Sequence, residues 1–438
     1  MAGFIRITRI LILLTMSAVL GAASATAGPL PQNDDYKHMG VATCASSICH
    51  GKTSAQTDGN VQLNEYRLWS TTDFHSRAYR VLSNPESKAM AKALGLANAQ
   101  NATICLDCHT DHVPSARRGP KFQLTDGVGC EGCHGGAEDW LRSHTEPNVT
   151  HQDNLDNGLY PLSDPIARAD LCLSCHMGTK DKFATHAIMA AGHPRLSFEL
   201  DTFTANQPAH YQVDEDYIAR KGDHPVGYLW AVGQVEMAKR QLALIDSHNL
   251  GKSLSRGLIE LTIYDCHSCH QGMNPRRGRP DDFSSQLPMG SLRLMDHSFD
   301  MVAVIIKATA PASYEKYASS VRDLHKAHNT PNAVGIATEK LRAQLVELAA
   351  NLKRKPPSPE TIKALRQRIA DNSARGRYAD YSSAEQAFLA LESLSYSLGD
   401  RKKITTQLDK VFASLGDETE FNPKRFATAC TALARVLP

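Results

Sequence analysis

Beyond its first 27 residues the sequence has no apolar run long enough to cross a membrane; the stretch Met301–Ile306 stops at Lys307. A spanning helix needs about 20 apolar residues, so a multi-span bundle is excluded. A charge excess is lacking too. The chain has 48 Lys and Arg against 46 Asp and Glu, and without Arg6 and Arg9 the two balance. With no basic excess it is a poor partner for nucleic acid, whose phosphates attract cationic side chains. No nucleotide-binding loop, zinc-protease motif or serine elbow occurs, and no strand pattern rivals the helical ones. What remains is globular: 42% apolar and 21% charged over 438 residues, a composition that excludes a disordered chain and allows one to three domains.

The first 27 residues read as a cleaved secretory signal. Arg6 and Arg9 supply the charged start, Ile10 to Leu20 the apolar stretch, and Ala23-Ser-Ala25 or Ala25-Thr-Ala27 the cleavage site. The apolar stretch is too short for an uncleaved spanning anchor. No cysteine stands at the cleavage site to carry a lipid. The mature chain is therefore expected in the periplasm or otherwise exported, with no membrane span. An oxidising compartment would ordinarily pair cysteines as disulfides. Their spacing argues for something else.

Ten of the eleven cysteines fall into five pairs, each followed directly by histidine. They are Cys44-Ala-Ser-Ser-Ile-Cys49-His50, Cys105-Leu-Asp-Cys108-His109, Cys130-Glu-Gly-Cys133-His134, Cys172-Leu-Ser-Cys175-His176 and Cys266-His-Ser-Cys269-His270. Four have the C-x-x-C-H spacing of covalent haem attachment. Two thiols add to the vinyl groups on one edge of a porphyrin, and the next residue reaches the iron from below, a task suited to imidazole. A lone motif could be a redox dithiol or half a zinc site; four in one exported chain point to haem. The first motif is longer by two residues. It reads either as a fifth attachment site or as a small disulfide loop, giving five covalent haems or four. Cys430, alone on a helical pattern, reads as a buried apolar residue.

Five haems would bring ten propionates to a neutral polypeptide. The holoprotein would carry about −5 oxidised and about −10 reduced, a surface suited to basic redox-partner proteins.

Nineteen histidines less five leaves fourteen, enough for several to be sixth ligands. His75, in Trp69-Ser-Thr-Thr-Asp-Phe-His75, and His144, ending Trp140-Leu-Arg-Ser-His144, are candidates. His186 and His193 are seven residues apart, which on one helix would place both rings on one face about 10 Å apart. His193 lies between Gly192 and Pro194, and Arg195 and Glu199 of the same segment could bond a propionate or line an open haem site. His267, inside the fifth motif, could ligate a neighbouring haem. His112, His151, His210, His224 and His297 are held in reserve. His325 and His328 are expected in solvent.

The chain divides into the signal (1–27), a motif-bearing region (28–310) and a haem-free helical bundle (311–438). In the middle region Asp223 and Pro225 are placed to start a long amphipathic helix through Trp230 and Ile245, and a second helix is expected over about Leu254–Tyr264. Helical patterns then cover about 333–353, 358–373, 381–398, 400–415 and 422–436, broken by Pro356-Pro357, Gly376, Gly399 and Gly416. The fold class is mainly α with little regular strand.

Over about residues 40–300 the chain resembles the cytochrome c-554 family of multihaem c-type cytochromes. The likeness rests on Cys44…Cys49-His50 followed by Trp69…His75, on Gly129-Cys130-Glu-Gly-Cys133-His134-Gly-Gly, on Ala191-Gly-His193-Pro-Arg195…Glu199, and on Tyr264-Asp-Cys266…His270. The resemblance implies a mainly helical periplasmic electron carrier with haems in close pairs. The namesake has four haems and accepts electrons from hydroxylamine oxidoreductase. The fifth motif, the lengthened first motif and the C-terminal bundle depart from it and leave the partner open.

Two functions fit these features. One is an electron-transfer protein whose haems form a wire; the other is a multihaem oxidoreductase acting on a small nitrogen or sulfur oxide at a five-coordinate haem. No motif replaces its histidine by lysine, as one pentahaem nitrite reductase type requires, and the carrier is the favoured reading.

Overall fold

The computed structural model describes residues 28–57, 61–248, 260–270, 283, 287–288, 291–327 and 333–438. The signal, His328 and most of the helix expected over Leu254–Tyr264 lie outside the described residues; Leu261–Ile263 forms a short 3-10 turn. The described residues are mainly helical, and among them β-pairing is limited to two isolated bridges, His38 with Arg118 and Tyr264 with Leu294.

The first two hundred residues use short helices joined by long loops. They include α1 (Glu65–Thr72), α2 (Pro85–Ala93), α3 (Thr103–His109), α4 (Pro165–His176) and α5 (Leu200–Asn206). Local chemistry fixes each start. Asp164 accepts the Ile166 N–H at 2.8 Å with Pro165 in the first turn of α4, and Glu199 accepts from Asp201 and Thr202 at the head of α5. Apolar burial here is meagre. Among the described residues it gathers into three small clusters, Leu82, Ala91, Ala99 and Leu106; Leu30, Tyr160, Ala167 and Leu171; and Ala169, Leu173, Phe198 and Leu200 with Met237 of the following half, besides a few separate side chains such as Val113 and Trp140. Protein atoms alone give this region too little core for its length.

Polar staples compensate at its N-terminal edge. The buried Glu131 accepts the backbone N–H groups of Met39, Gly40 and Ala137 at 2.6, 2.7 and 2.8 Å. His38, fully buried, contacts Asp111 at 2.6 Å through Nδ1 and the Pro31 carbonyl at 3.1 Å through Nε2. Each carries segment 30–40 onto a different part of the motif region.

The second half is a conventional helical assembly: α6 (Tyr228–Ser247), α7 (His297–Thr309), α8 (Tyr314–Ala327), α9 (Ala333–Arg354), α10 (Pro359–Ala374), α11 (Tyr381–Ser397), α12 (Thr405–Leu415) and α13 (Pro423–Ala434). The five last helices follow the sequence periodicity to within a few residues. The start of α6 does not. It begins at Tyr228 rather than near Asp223, because Gly227 takes φ +69 and a side chain there would strike Ile362 of α10.

One apolar cluster fills this half, and it does not break at residue 310. Trp230, Val235, Leu242 and Ile245 of α6 and Phe299, Met301, Val302 and Ile305 of α7 share it with Leu341, Leu345, Leu365, Leu391, Val411, Phe426 and Cys430. Helices 311–438 therefore wrap α6 and α7, which the sequence reading assigned to the motif region. His325, expected in solvent, is buried on α8 with Nε2 3.4 Å from Asp296.

Candidate haem-binding site

Each motif is built on a tight helical turn. Cys105 to His109 end α3 and Cys172 to His176 end α4; Glu131–His134 is a one-turn helix and Cys266–Ser268 a 3-10 turn. Two cysteines three apart then share one face, with the histidine one residue on. The His134 N–H donates to the Cys130 carbonyl at 2.8 Å, and the His270 N–H to that of Cys266 at 2.7 Å. The lengthened motif keeps this closure. His50 donates to the Cys44 carbonyl at 3.1 Å, while the extra residues loop outward and leave Ile48 84% exposed. Among the described residues no disulfide joins the motif cysteines, Cys44 and Cys49 included, and Cys430 is buried, as its helical pattern suggests.

Every motif histidine faces one other histidine. Ring centroids lie 6.3 Å apart for His50 and His144, 6.4 Å for His109 and His193, 6.1 Å for His134 and His210, 6.2 Å for His176 and His75, and 6.3 Å for His270 and His186. The spread is 0.3 Å over five unrelated pieces of chain. Ring planes are near parallel in the first and last pairs, at 13° and 29°, and near perpendicular in the other three, at 84°, 81° and 84°.

Second partners hold several rings by Nδ1. Glu65 meets His50 at 2.9 Å, Asp73 meets His75 at 2.9 Å, and the carbonyls of Ala78, Leu141 and Pro194 meet His109, His144 and His193 at 2.9, 2.6 and 2.8 Å. A ring anchored by Nδ1 presents Nε2 to whatever lies opposite. Burial pushes His134 down to about 3 and lowers His109, His176 and His210, so these rings are neutral with a lone pair free. The hydrogen bonds from Glu65 and Asp73 instead raise His50 and His75.

Four of the histidines singled out in the sequence, His75, His144, His186 and His193, thus stand opposite motif histidines. His186 and His193 do so from different backbone segments, since the helix His186–Ala190 ends before His193. His267 does not. Its ring stacks on Tyr381 of α11 at 6.4 Å and its Nε2 meets the Glu418 carbonyl, in the turn between α12 and α13, at 3.3 Å. His210, held in reserve, takes the fifth place. The only hint in its sequence was Pro208, which stiffens the backbone just before it. Arg195 and Glu199 also have other tasks: Arg195 pairs with Glu385 and Glu418, and Glu199 caps α5.

The thiols of Cys44 and Cys130 perturb one another electrostatically, as do those of Cys108 and Cys175. The first motif therefore abuts the third and the second abuts the fourth. The Lys182 ammonium lies 3.3 Å from the Cys175 sulfur. A cavity adjoins the fifth motif, lined by Cys266, Ile263, His176, Phe198, Met237 and Glu385 among others.

The family model for cytochrome c554 and c-prime matches residues 43–135. Over that segment the chain is similar to the cytochrome c554 family. No curated protein and no solved structure matches the chain. The matched segment contains the first three motifs, and a c-type cytochrome of this family holds haem through thioethers and transfers electrons. The donor set fits that group. An imidazole nitrogen sits about 2 Å from a bound metal, so two rings on opposite sides of one iron have centres about 6 Å apart. The imidazoles also come in twos, and among the described residues no three His, Cys, Asp or Glu side chains converge as a metal cluster. No described helix is long and apolar enough to cross a membrane.

Proposed function

We propose that this chain is an exported five-haem electron-transfer protein in which every iron is held between two histidines. Cys44 and Cys49, Cys105 and Cys108, Cys130 and Cys133, Cys172 and Cys175, and Cys266 and Cys269 each bind one haem. The axial pairs are His50 with His144, His109 with His193, His134 with His210, His176 with His75, and His270 with His186. The carrying observation is that all five motif histidines, including that of the lengthened motif, face one further imidazole at 6.1–6.4 Å.

Each bound haem supplies a one-electron couple. The chain's residues keep that couple ready. Two rings fixed by Glu65, Asp73 and backbone carbonyls need no rearrangement when the iron changes charge, which suits rapid transfer. The first motif neighbours the third and the second neighbours the fourth, so haems held there would lie close enough to support transfer within the chain. Two imidazoles per iron leave no open position for a substrate, which favours the carrier over an oxidoreductase of nitrogen or sulfur oxides. The neutral polypeptide with its added propionates favours basic redox partners. The leader supports a periplasmic setting.

Haem staining with intact-mass measurement tests the count. Five covalent haems add about 3 kDa, at roughly 0.6 kDa each; four, with Cys44 and Cys49 oxidised to a disulfide, would remove the first site.

A further inference from the structure

Two of the features that set this chain apart from the four-haem namesake, the fifth motif and the C-terminal helices, meet at one place. The cavity beside Cys266 is walled on one side by Ser382, Glu385 and Gln386 of α11. His267 of the fifth motif stacks on Tyr381 of the same helix and reaches the Glu418 carbonyl beyond it. Between these contacts lies an ion cluster. Arg195 meets Glu385 at 2.8 Å and Glu418 at 3.0 Å, and its guanidinium lies 5.3 Å from the centre of the Tyr381 ring. Ser197 donates to the same Glu385 oxygen at 2.7 Å. Arg195 and Glu385 are the only Arg, Lys, Asp or Glu side chains lining the cavity among the described residues.

One guanidinium against two carboxylates, of which Glu418 lies just outside the cavity lining, leaves the cluster with one net negative charge. A negative charge beside a haem stabilises the ferric iron, which is one unit more positive than the ferrous. The cluster also ties the segment carrying His193 to the bundle, two residues beyond that ligand. We propose that Glu385 and Glu418, held by Arg195, are positioning residues that lower the reduction potential of the haem on Cys266 and Cys269, making the C-terminal helices the electrostatic wall of the fifth site. The proposal rests on the five-haem reading above.

Redox titration of the intact holoprotein, after peptide mapping of its haems, tests it. Glu385→Gln should raise one of five midpoints by a tenfold change in its equilibrium, ~59 mV for one electron, with all five haems attached and low-spin. Glu418→Gln, at the more exposed carboxylate, should move the same midpoint the same way and covers a failure of the first variant to mature. Arg195→Lys keeps the charge and should restore the original value to within a small shift. A fall in thermal stability with all midpoints unchanged would reduce the cluster to a structural tie and overturn the proposal. So would a shift spread over all five haems. Peptides showing Cys266 and Cys269 without haem would instead overturn the five-haem reading, and this proposal with it.

Discussion

His134 and His210 face each other at 6.1 Å with their rings 81° apart, although one ends a haem-attachment motif and the other lies in a loop that no motif marks. If both ligate one iron, His210→Ala should turn one haem from low to high spin and raise its potential, because a donor to the ferric state is lost. The thioethers at Cys130 and Cys133 should survive. His267→Ala should change no spin state, since that ring packs on Tyr381. Magnetic spectra of the two variants check this, and the reverse pattern would restore His267 as a ligand in place of His210.

Much of this arrangement was open to sequence reasoning, and the limit falls at a definite place. The Cys-His motifs are local, two thiols and an imidazole within a short stretch, and are legible from spacing alone. Helices 333–438 were legible too, because an amphipathic stripe with Pro and Gly breaks depends on local periodicity. Which imidazole stands opposite which motif is a tertiary fact. His75 pairs with the fourth motif, not with the first or second that flank it, and His193 reaches back to the second. The course of the core past residue 310 was hidden for the same reason. The apolar faces of α6 and α7 are visible in sequence; the helices that cover them are named only by packing. His38 shows a third kind of gap, a buried histidine whose partners Asp34, Pro31 and Asp111 come together only on folding.

That His38 network carries a pH prediction. Burial opposes its charge, but hydrogen bonds to Asp111 and Asp34 outweigh burial and raise the ring to about 10. A folded value above the unfolded one, about 6.5, means the stabilisation is complete below that pH and is lost as pH climbs toward 10. Urea midpoints of the holoprotein should fall across this window, and those of His38→Asn should fall less. At pH 6 the variant should be destabilised by about 3–5 kcal/mol, the cost of stranding a buried partner. Parallel curves for the two proteins would assign the pH dependence elsewhere.

The continuous core bears on the C-terminal helices as a fragment. Residues 311–438 alone would expose the surfaces that Trp230, Leu242, Phe299 and Val302 cover in the whole chain. At about 25 cal/mol per Å² of exposed apolar surface, the loss is comparable to the stability of a small domain. Circular dichroism of that fragment should show reduced helicity and no cooperative melt. A cooperative transition would make 311–438 an independent unit despite its shared core.

Electron paramagnetic resonance of the ferric holoprotein tests the central claim most directly, because ligand number and ring orientation both appear in it. Near-perpendicular imidazoles give a highly anisotropic low-spin signal, and near-parallel ones a rhombic signal. The pairs at 81–84° and those at 13° and 29° therefore predict three haems of the first kind and two of the second. Integration should return five low-spin irons and no high-spin signal. A high-spin component amounting to one iron, shifting on addition of nitric oxide or hydroxylamine, would contradict the account and expose a haem with an open position.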